Sequence, residues 1–278
     1  MGSLLGVGAT AGLTQGAAWM RAQADAANAL DAADDSDNET GSGWPAPGET
    51  PPPPEDLGPM APDGRQLSYA QQGEDLVVQA VLDRLGIKRP RYLDIGAFHP
   101  SIASNTYRFY VQGSRGVLVE PNPSMAALLR RARPQDVVLE VGVSVDAQTT
   151  ADYYVVRASP QLNTFSAEQA ERYIAEGGQG AIERVVKMPL RSIDDILDEH
   201  FGQAPPDLVS IDVEGLDLQL LQTMSFDRVR PAVLCVETLI YGTTKQREPI
   251  ATLLAEHGYR VAAGTFVNTI FVDGRRQG

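Results

Sequence analysis

From Ser68 onward the chain alternates short apolar runs with stretches of helical spacing, the pattern of a parallel sheet covered on both faces. Glu74 to Leu85 places Leu76, Val77, Ala80, Val81 and Leu85 along one stripe, which predicts an amphipathic helix. Strands are predicted at Arg91 to Ile95, Gly116 to Glu120, Asp136 to Val141, Leu208 to Asp212, Ala232 to Glu237, Tyr259 to Ala263 and Thr265 to Val272. Helices fall between most of them, among them Pro123 to Arg133 and Leu216 to Thr223. Only Gly264 separates the last two strands, so they should form an antiparallel hairpin at the sheet edge. The expected fold is α/β: a Rossmann-like sandwich with a mostly parallel seven-stranded sheet and a C-terminal antiparallel hairpin.

The first 62 residues break this pattern. They run from Ala/Gly-rich through acidic (Asp31 to Glu39) to proline-rich (Pro45 to Pro54), with too little apolar surface to offset chain entropy. Residues 1–62 read as a disordered tail and linker, with local polyproline II at Pro51 to Pro54 and a helical turn near Met20 to Leu30, and residues 63–278 as the folded domain. The Asn38-Glu39-Thr40 sequon lies in the linker. Leu4 to Met20 lacks a cationic lead-in, so it does not read as a signal, and no stretch reaches the ~20 apolar residues of a membrane span. The expected location is the cytoplasm. The tail holds nine acids against one base, Arg21, and so carries −8 of the net −13; the rest is only mildly acidic. That balance lacks the basic stripe that phosphate backbones require, so nucleic acid is not an expected partner. The single cysteine, Cys235, sits in the apolar run Ala232 to Val236 and reads as a small core hydrophobe.

In an open parallel sheet the ligand lies beyond the carboxyl ends of the central strands. Acids fall at those ends: Asp94, Glu120, Asp212 with Glu214, and Glu237. An ionised carboxylate there is expensive to desolvate unless a partner binds it. Asp94-Ile95-Gly96 closes the first strand with a turn that a cofactor backbone can approach, since Gly96 has no Cβ. Glu120, at the end of the second strand, is placed to accept from both ribose hydroxyls. Together they indicate a nucleoside cofactor, either S-adenosylmethionine or a nicotinamide dinucleotide. Gly96 is followed by Ala97-Phe98-His99-Pro100-Ser101 rather than the G-x-G-x-x-G that cradles pyrophosphate, which favours the phosphate-free S-adenosyl-L-methionine.

Five segments then form a joint signature. Tyr69-Ala70-Gln71-Gln72-Gly73-Glu74-Asp75, Asp94-Ile95-Gly96-Ala97, Ser104-Asn105-Thr106, Val119-Glu120-Pro121-Asn122-Pro123 and Ser210-Ile211-Asp212-Val213-Glu214-Gly215 occur in one order. In that order they resemble the FkbM-type methyltransferases, over roughly Ser68 to Val272. The resemblance implies O-methyl transfer from S-adenosylmethionine to a hydroxyl of a sugar, polysaccharide or polyketide. It also implies that Asp94, Gly96, Asn105 and Glu120 surround the cofactor while Asp212 and Glu214 face the methyl group and acceptor. Departures at Asp217, often Glu in the family, and at Thr238 to Tyr241 bear on acceptor identity more than on cofactor binding.

A sugar hydroxyl is a poor acid, so a general base is expected. Asp212 is the first candidate, with holding the methionine amino group as its other reading; Glu214 is the second. His99 is a third, and its alternative is capping the turn before Pro100. Asp212 is also counted with the cofactor-binding residues, as is Ser144, just past the third strand. Gln71, Glu74 and Asp75 read either as a lid edge near the acceptor or as a helix start with acids suited to the dipole. Oxygen ligands at Asp212, Glu214 and Glu237 have no spacing that fixes a metal, and none is expected. Tyr241 and Lys245 have the Y-x-x-x-K spacing of short-chain dehydrogenases, yet Gly242 and two threonines make a poor helix. An oxidoreductase and a non-catalytic binding module are the alternatives. The insertion Ala147 to Arg191 is expected to shape the acceptor pocket.

Overall fold

The computed structural model describes residues 66–157, 163–177, 181–202, 204–213, 215–239 and 248–276. The tail 1–62, Glu214 and Tyr241 to Lys245 lie outside the described residues. What is described falls into two compact units, one of residues 152–157, 163–177 and 181–186, the other made of the rest.

The larger unit holds a seven-stranded sheet. Its elements are α1 (Glu74–Arg84), β1 (Tyr92–Ile95), α2 (Tyr107–Val111), β2 (Gly116–Val119), α3 (Pro123–Ala132), β3 (Val137–Leu139) and β4 (Gly142–Ser144). After two further strands, β5 (Thr150–Val156) and β6 (Ile182–Ser192), come α5 (Ile193–Phe201), β7 (Leu208–Ile211), α6 (Asp217–Thr223), β8 (Val233–Glu237), α7 (Glu248–Glu256), β9 (Tyr259–Gly264) and β10 (Asn268–Asp273); α4 is Ala167–Gly177. The sheet order is β3-β2-β1-β7-β8-β10-β9. All its pairs are parallel except β8 with β10 and β10 with β9. This is the expected mostly parallel sheet with a C-terminal antiparallel hairpin.

Strand alternation gives the sheet two unlike faces. Leu93, Ile95, Val117, Val119, Val209, Ile211, Leu234 and Val236 point to one side and pack against Ile193, Ile196, Leu220, Leu221 and Phe226. The other side carries Tyr92, Leu118, Leu208, Val233 and Cys235 beneath Val78, Leu82, Phe109 and Leu129. On that side a row in register runs Leu118, Asp94, Ser210, Cys235, Ile270.

Three boundaries differ from the sequence reading. The predicted third strand stops at Leu139, and Gly142–Ser144 is a separate strand that pairs in parallel with Leu190–Ser192 of β6. Gly264 belongs to β9, and the hairpin turn is Thr265 to Val267. The Thr265 amide donates to the Asn268 carbonyl and its hydroxyl accepts from the Asn268 amide, so a side-chain cap sets the turn. The five-residue α2 was not predicted. Its start is held by the Ser104 hydroxyl, which accepts from the Tyr107 amide.

In the smaller unit, β5 and β6 contribute strand residues beside α4. Tyr154 and Thr164 form an antiparallel bridge, the Val156 amide donates to Asn163 Oδ1, and the Tyr153 and Phe165 rings lie 4.7 Å apart. Among the described residues no helix is long and apolar enough to cross a membrane.

Candidate functional site

β1 and β7 are neighbours, so their carboxyl ends bring Asp94 to Gly96 and Asp212 together. The Asp212 amide donates to the Ile95 carbonyl at 3.0 Å. A Cβ at Gly96 would lie 1.9 Å from the Asp212 carbonyl oxygen, and Gly96 has φ +83°, so only glycine fits on both counts. The amides of Gly96 and Ala97 both donate to the Val119 carbonyl, tying this turn to the tip of β2.

Glu120 stands at that tip, almost fully buried. Its Oε2 accepts from the Phe98 amide at 2.8 Å and its Oε1 from the Asn122 amide at 2.7 Å. Burial pushes the carboxyl up to about 7 despite those two amides, and the charge of Asp94 adds to the rise. Asn122 in turn caps α3, its Oδ1 accepting from the Ser124 amide.

Asp94 is buried within a polar network. Thr106 Oγ1 donates to its Oδ2 at 2.5 Å, and the Ser210 hydroxyl donates as well. Asn105 Nδ2 donates to Ser210 Oγ at 3.1 Å. Burial raises the Asp94 pKa, and the hydroxyls together with the Arg133 charge oppose that rise. Arg133 is fully buried, with Nε on Asp136 and both terminal nitrogens on Thr106 Oγ1 at 3.1 Å. It also donates to the Tyr92 hydroxyl, which itself donates to Asp136, and Asp136 accepts from the Gly116 amide. Gly116 carries no Cβ because one would meet the Tyr92 ring at 2.1 Å. No role at the site was read from the sequence for Arg133, Asp136 or Tyr92, the first two appearing there only as element ends. Thr106 was visible only as a letter in a motif.

His99 is buried, and its Nδ1 accepts from the amides of Ser101 and Ile102 at 3.2 and 3.0 Å. With Nδ1 used as acceptor, the neutral ring carries its proton on Nε2. Burial lowers its pKa to about 4. Ser144 is buried at the end of β4, where its hydroxyl donates to the Asp146 carbonyl at 2.6 Å. Asp217 is buried and accepts from the amides of Val213 and Gly215, which shapes the turn that follows Asp212. At the start of α1, Glu74 accepts from Thr265 and Asn268 on the hairpin. Asp75 binds back to Ser68 and to the Tyr69 amide. Cys235 lies under this face with its thiol pushed well up by burial and by the carboxylates of Glu74, Asp94, Asp212 and Asp75. Among the described residues no group of three or more His, Cys, Asp or Glu is placed to hold a metal ion.

Residues 94–261 match the model of the methyltransferase FkbM domain, well over half of the chain. The chain belongs to the FkbM methyltransferase family. By family it is an S-adenosylmethionine-dependent methyltransferase, and S-adenosylmethionine is its cofactor. No curated protein matches the FkbM chain in sequence. Among solved structures, a precorrin-6y C5,15-methyltransferase from Geobacter metallireducens is similar at 15% identity and TM-score 0.39, covering 74% of this chain and 90% of that one. A TehB-like SAM-dependent methyltransferase from Corynebacterium glutamicum gives 8% and 0.39, covering 73% and 88%. An amino pentose methyltransferase from Micromonospora echinaspora gives 12% and 0.38, covering 74% and 92%.

Proposed function

We propose that the FkbM domain, residues 63–278, transfers a methyl group to a hydroxyl oxygen of a sugar, polysaccharide or polyketide-like acceptor, in the cytoplasm and without a nucleic-acid partner. The observation that carries the reading is the junction of three strand tips: Gly96 packed on the Asp212 backbone, and Glu120 bonded to the loop that leaves Gly96. The sequence expectation of a ligand backbone against Gly96 is revised: the missing Cβ makes room for the Asp212 carbonyl, which draws the tips of β1 and β7 together, and the two buried acids beside that junction suit hydroxyl and ammonium donors. The cofactor-binding set is Asp94, Gly96, Asn105, Glu120, Ser144 and Asp212.

S-adenosylmethionine supplies a methyl carbon activated by an adjoining sulfonium. What the protein adds is alignment and a proton acceptor. Glu120 would hold the cofactor by accepting from its ribose hydroxyls. Asp94 is held by the Thr106 and Ser210 hydroxyls, and its carboxylate would give a negative environment to a cationic ligand end. Holding the acceptor oxygen in line accounts for most of the acceleration. Taking the acceptor proton is worth about 10²- to 10⁴-fold, and we assign that base to Asp212 first and Glu214 second. His99 ranks below them, because Nδ1 is already taken up by two amides and Nε2 bears the proton.

The test is incubation with S-adenosylmethionine carrying a labelled methyl group and a panel of sugars, oligosaccharides and hydroxylated polyketides, read by mass spectrometry. Label on an acceptor oxygen supports the reading. Label on nitrogen or carbon would overturn the oxygen assignment and leave the family intact. Asp212→Asn should lower turnover about a hundredfold even at saturating cofactor.

A further inference from the structure

The polarity of the network beneath Asp94 can be read from donor chemistry alone. A guanidinium only donates. Thr106 Oγ1 receives both terminal nitrogens of Arg133 and must accept from them, so its single proton points to Asp94. The second branch has the same sense: Asn105 Nδ2 donates to Ser210, which sends its own proton to Asp94. Asp94 is thus the common end of two one-way relays, one starting at Arg133 just past α3 and the other at Asn105 in the loop before α2.

The network also has a cost that the fold does not require. A buried ion pair such as Arg133 with Asp136 is often no better for stability than apolar residues of the same volume. Three tyrosine rings surround the guanidinium, those of Tyr92, Tyr107 and Tyr110, at 5.5, 6.0 and 5.2 Å. The segment Gly96 to Thr106 ends on this network through Ser104 and Thr106, and in it two non-glycine residues, Phe98 at φ 49° and Ala103 at φ 52°, hold left-handed backbone. Such residues cost on the order of 1 kcal/mol each and persist only where surrounding bonds over-determine them. The bonds are present at both ends: Phe98 to Glu120, Ser104 to the Tyr69 carbonyl, and Thr106 to Asp94.

We propose that Arg133, with Asp136 and Tyr92 behind it, is a positioning unit for the cofactor loop: it acts through the Thr106 hydroxyl on Asp94 and holds Gly96 to Thr106 in its ligand-ready shape before the cofactor arrives. This rests on the reading of that loop as cofactor-binding. The unit touches no ligand itself, and the hydroxyl of Thr106 is the part through which it works.

The experiment uses the full chain and S-adenosylhomocysteine as the probe, with two readouts. Titration calorimetry gives affinity, and hydrogen exchange of the ligand-free protein gives protection of the amides from Gly96 to Thr106. Thr106→Val should weaken binding by about tenfold or more and speed exchange across the loop. Thr106→Ser, which keeps the hydroxyl, should restore both. Thr106→Ala, which only deletes atoms, serves beside valine should the latter fold poorly. Arg133→Met should resemble Thr106→Val, and Arg133→Lys should fall between it and the parent. A purely structural role would lower the melting temperature of Thr106→Val without changing affinity in the folded range, and would overturn the proposal. So would Thr106→Ser as defective as valine, or loop exchange unchanged in every variant. If the parent protein binds no S-adenosylhomocysteine although its loop exchanges slowly, the cofactor reading fails, and this inference with it.

Discussion

The two faces of the central sheet are built from the same strands and do opposite work. On one, Leu93, Ile95, Val209, Ile211, Leu234 and Val236 pack through apolar side chains. On the other, one residue along in each strand, Asp94, Ser210 and Cys235 stand in register with Tyr92 two residues before Asp94, and polar atoms must be paired inside the protein. The first face is redundant, because burial is non-directional and proportional to area. The second is specified atom by atom, because each unpaired polar group there costs about 1–3 kcal/mol. Stability should therefore be lost in graded steps on the apolar face, and function abruptly on the polar one.

The sharpest break is Gly96→Ala. The added methyl would overlap a backbone oxygen rather than a movable side chain, at a φ alanine avoids. Affinity for S-adenosylhomocysteine should fall more than about a hundredfold, with a destabilisation of about 4 kcal/mol or more by chemical denaturation. Unchanged affinity would separate the Gly96 turn from the cofactor site. Next is Leu234→Ala on the apolar face, which should cost about 2–5 kcal/mol in unfolding yet leave the affinity of the folded protein within about twofold. A large affinity loss there would erase the distinction between the faces.

Glu120 gives a third, through pH. Its folded pKa of about 7 lies above its ordinary value of 4.5, so the folded state favours the proton. Stability from this group is complete below pH about 4.5 and is lost as pH rises through about 7, at most about 3 kcal/mol in all. Glu120→Gln should remove that decline, so the difference in unfolding free energy between variant and parent should grow from pH 4.5 to 7.5. A parallel pair of curves would show that the carboxyl is not held up by burial. The smallest effect belongs to Cys235→Ala, about 1 kcal/mol, with cofactor affinity unchanged. The buried thiol should react with an aromatic disulfide reagent only at the rate of unfolding.

What was legible follows from period and position. Asp94, Glu120 and Asp212 could be placed at strand ends because each closes an apolar run, and parallel strands put those ends on one edge. Turn boundaries were less legible: Gly264 reads as the hairpin turn, but the Thr265 hydroxyl bound to the Asn268 amide moves the turn onward by competing for the backbone. His99 could be read as a base or a cap from its neighbours, and only the two amides on Nδ1 weigh between them.

By itself, then, the amino-acid order determined the α/β class, the parallel sheet with its terminal hairpin, the family signature and the acids at the strand tips, all of which depend on residues near one another in the chain. Only tertiary structure decided that Arg133 is a core residue. In sequence it is a cation closing an amphipathic helix, where charge complements the helix end and water solvates it. Its partners Tyr92 and Thr106 lie 41 and 27 residues away. A buried charge is acceptable only where donors and acceptors from several elements meet, and no local pattern encodes that meeting.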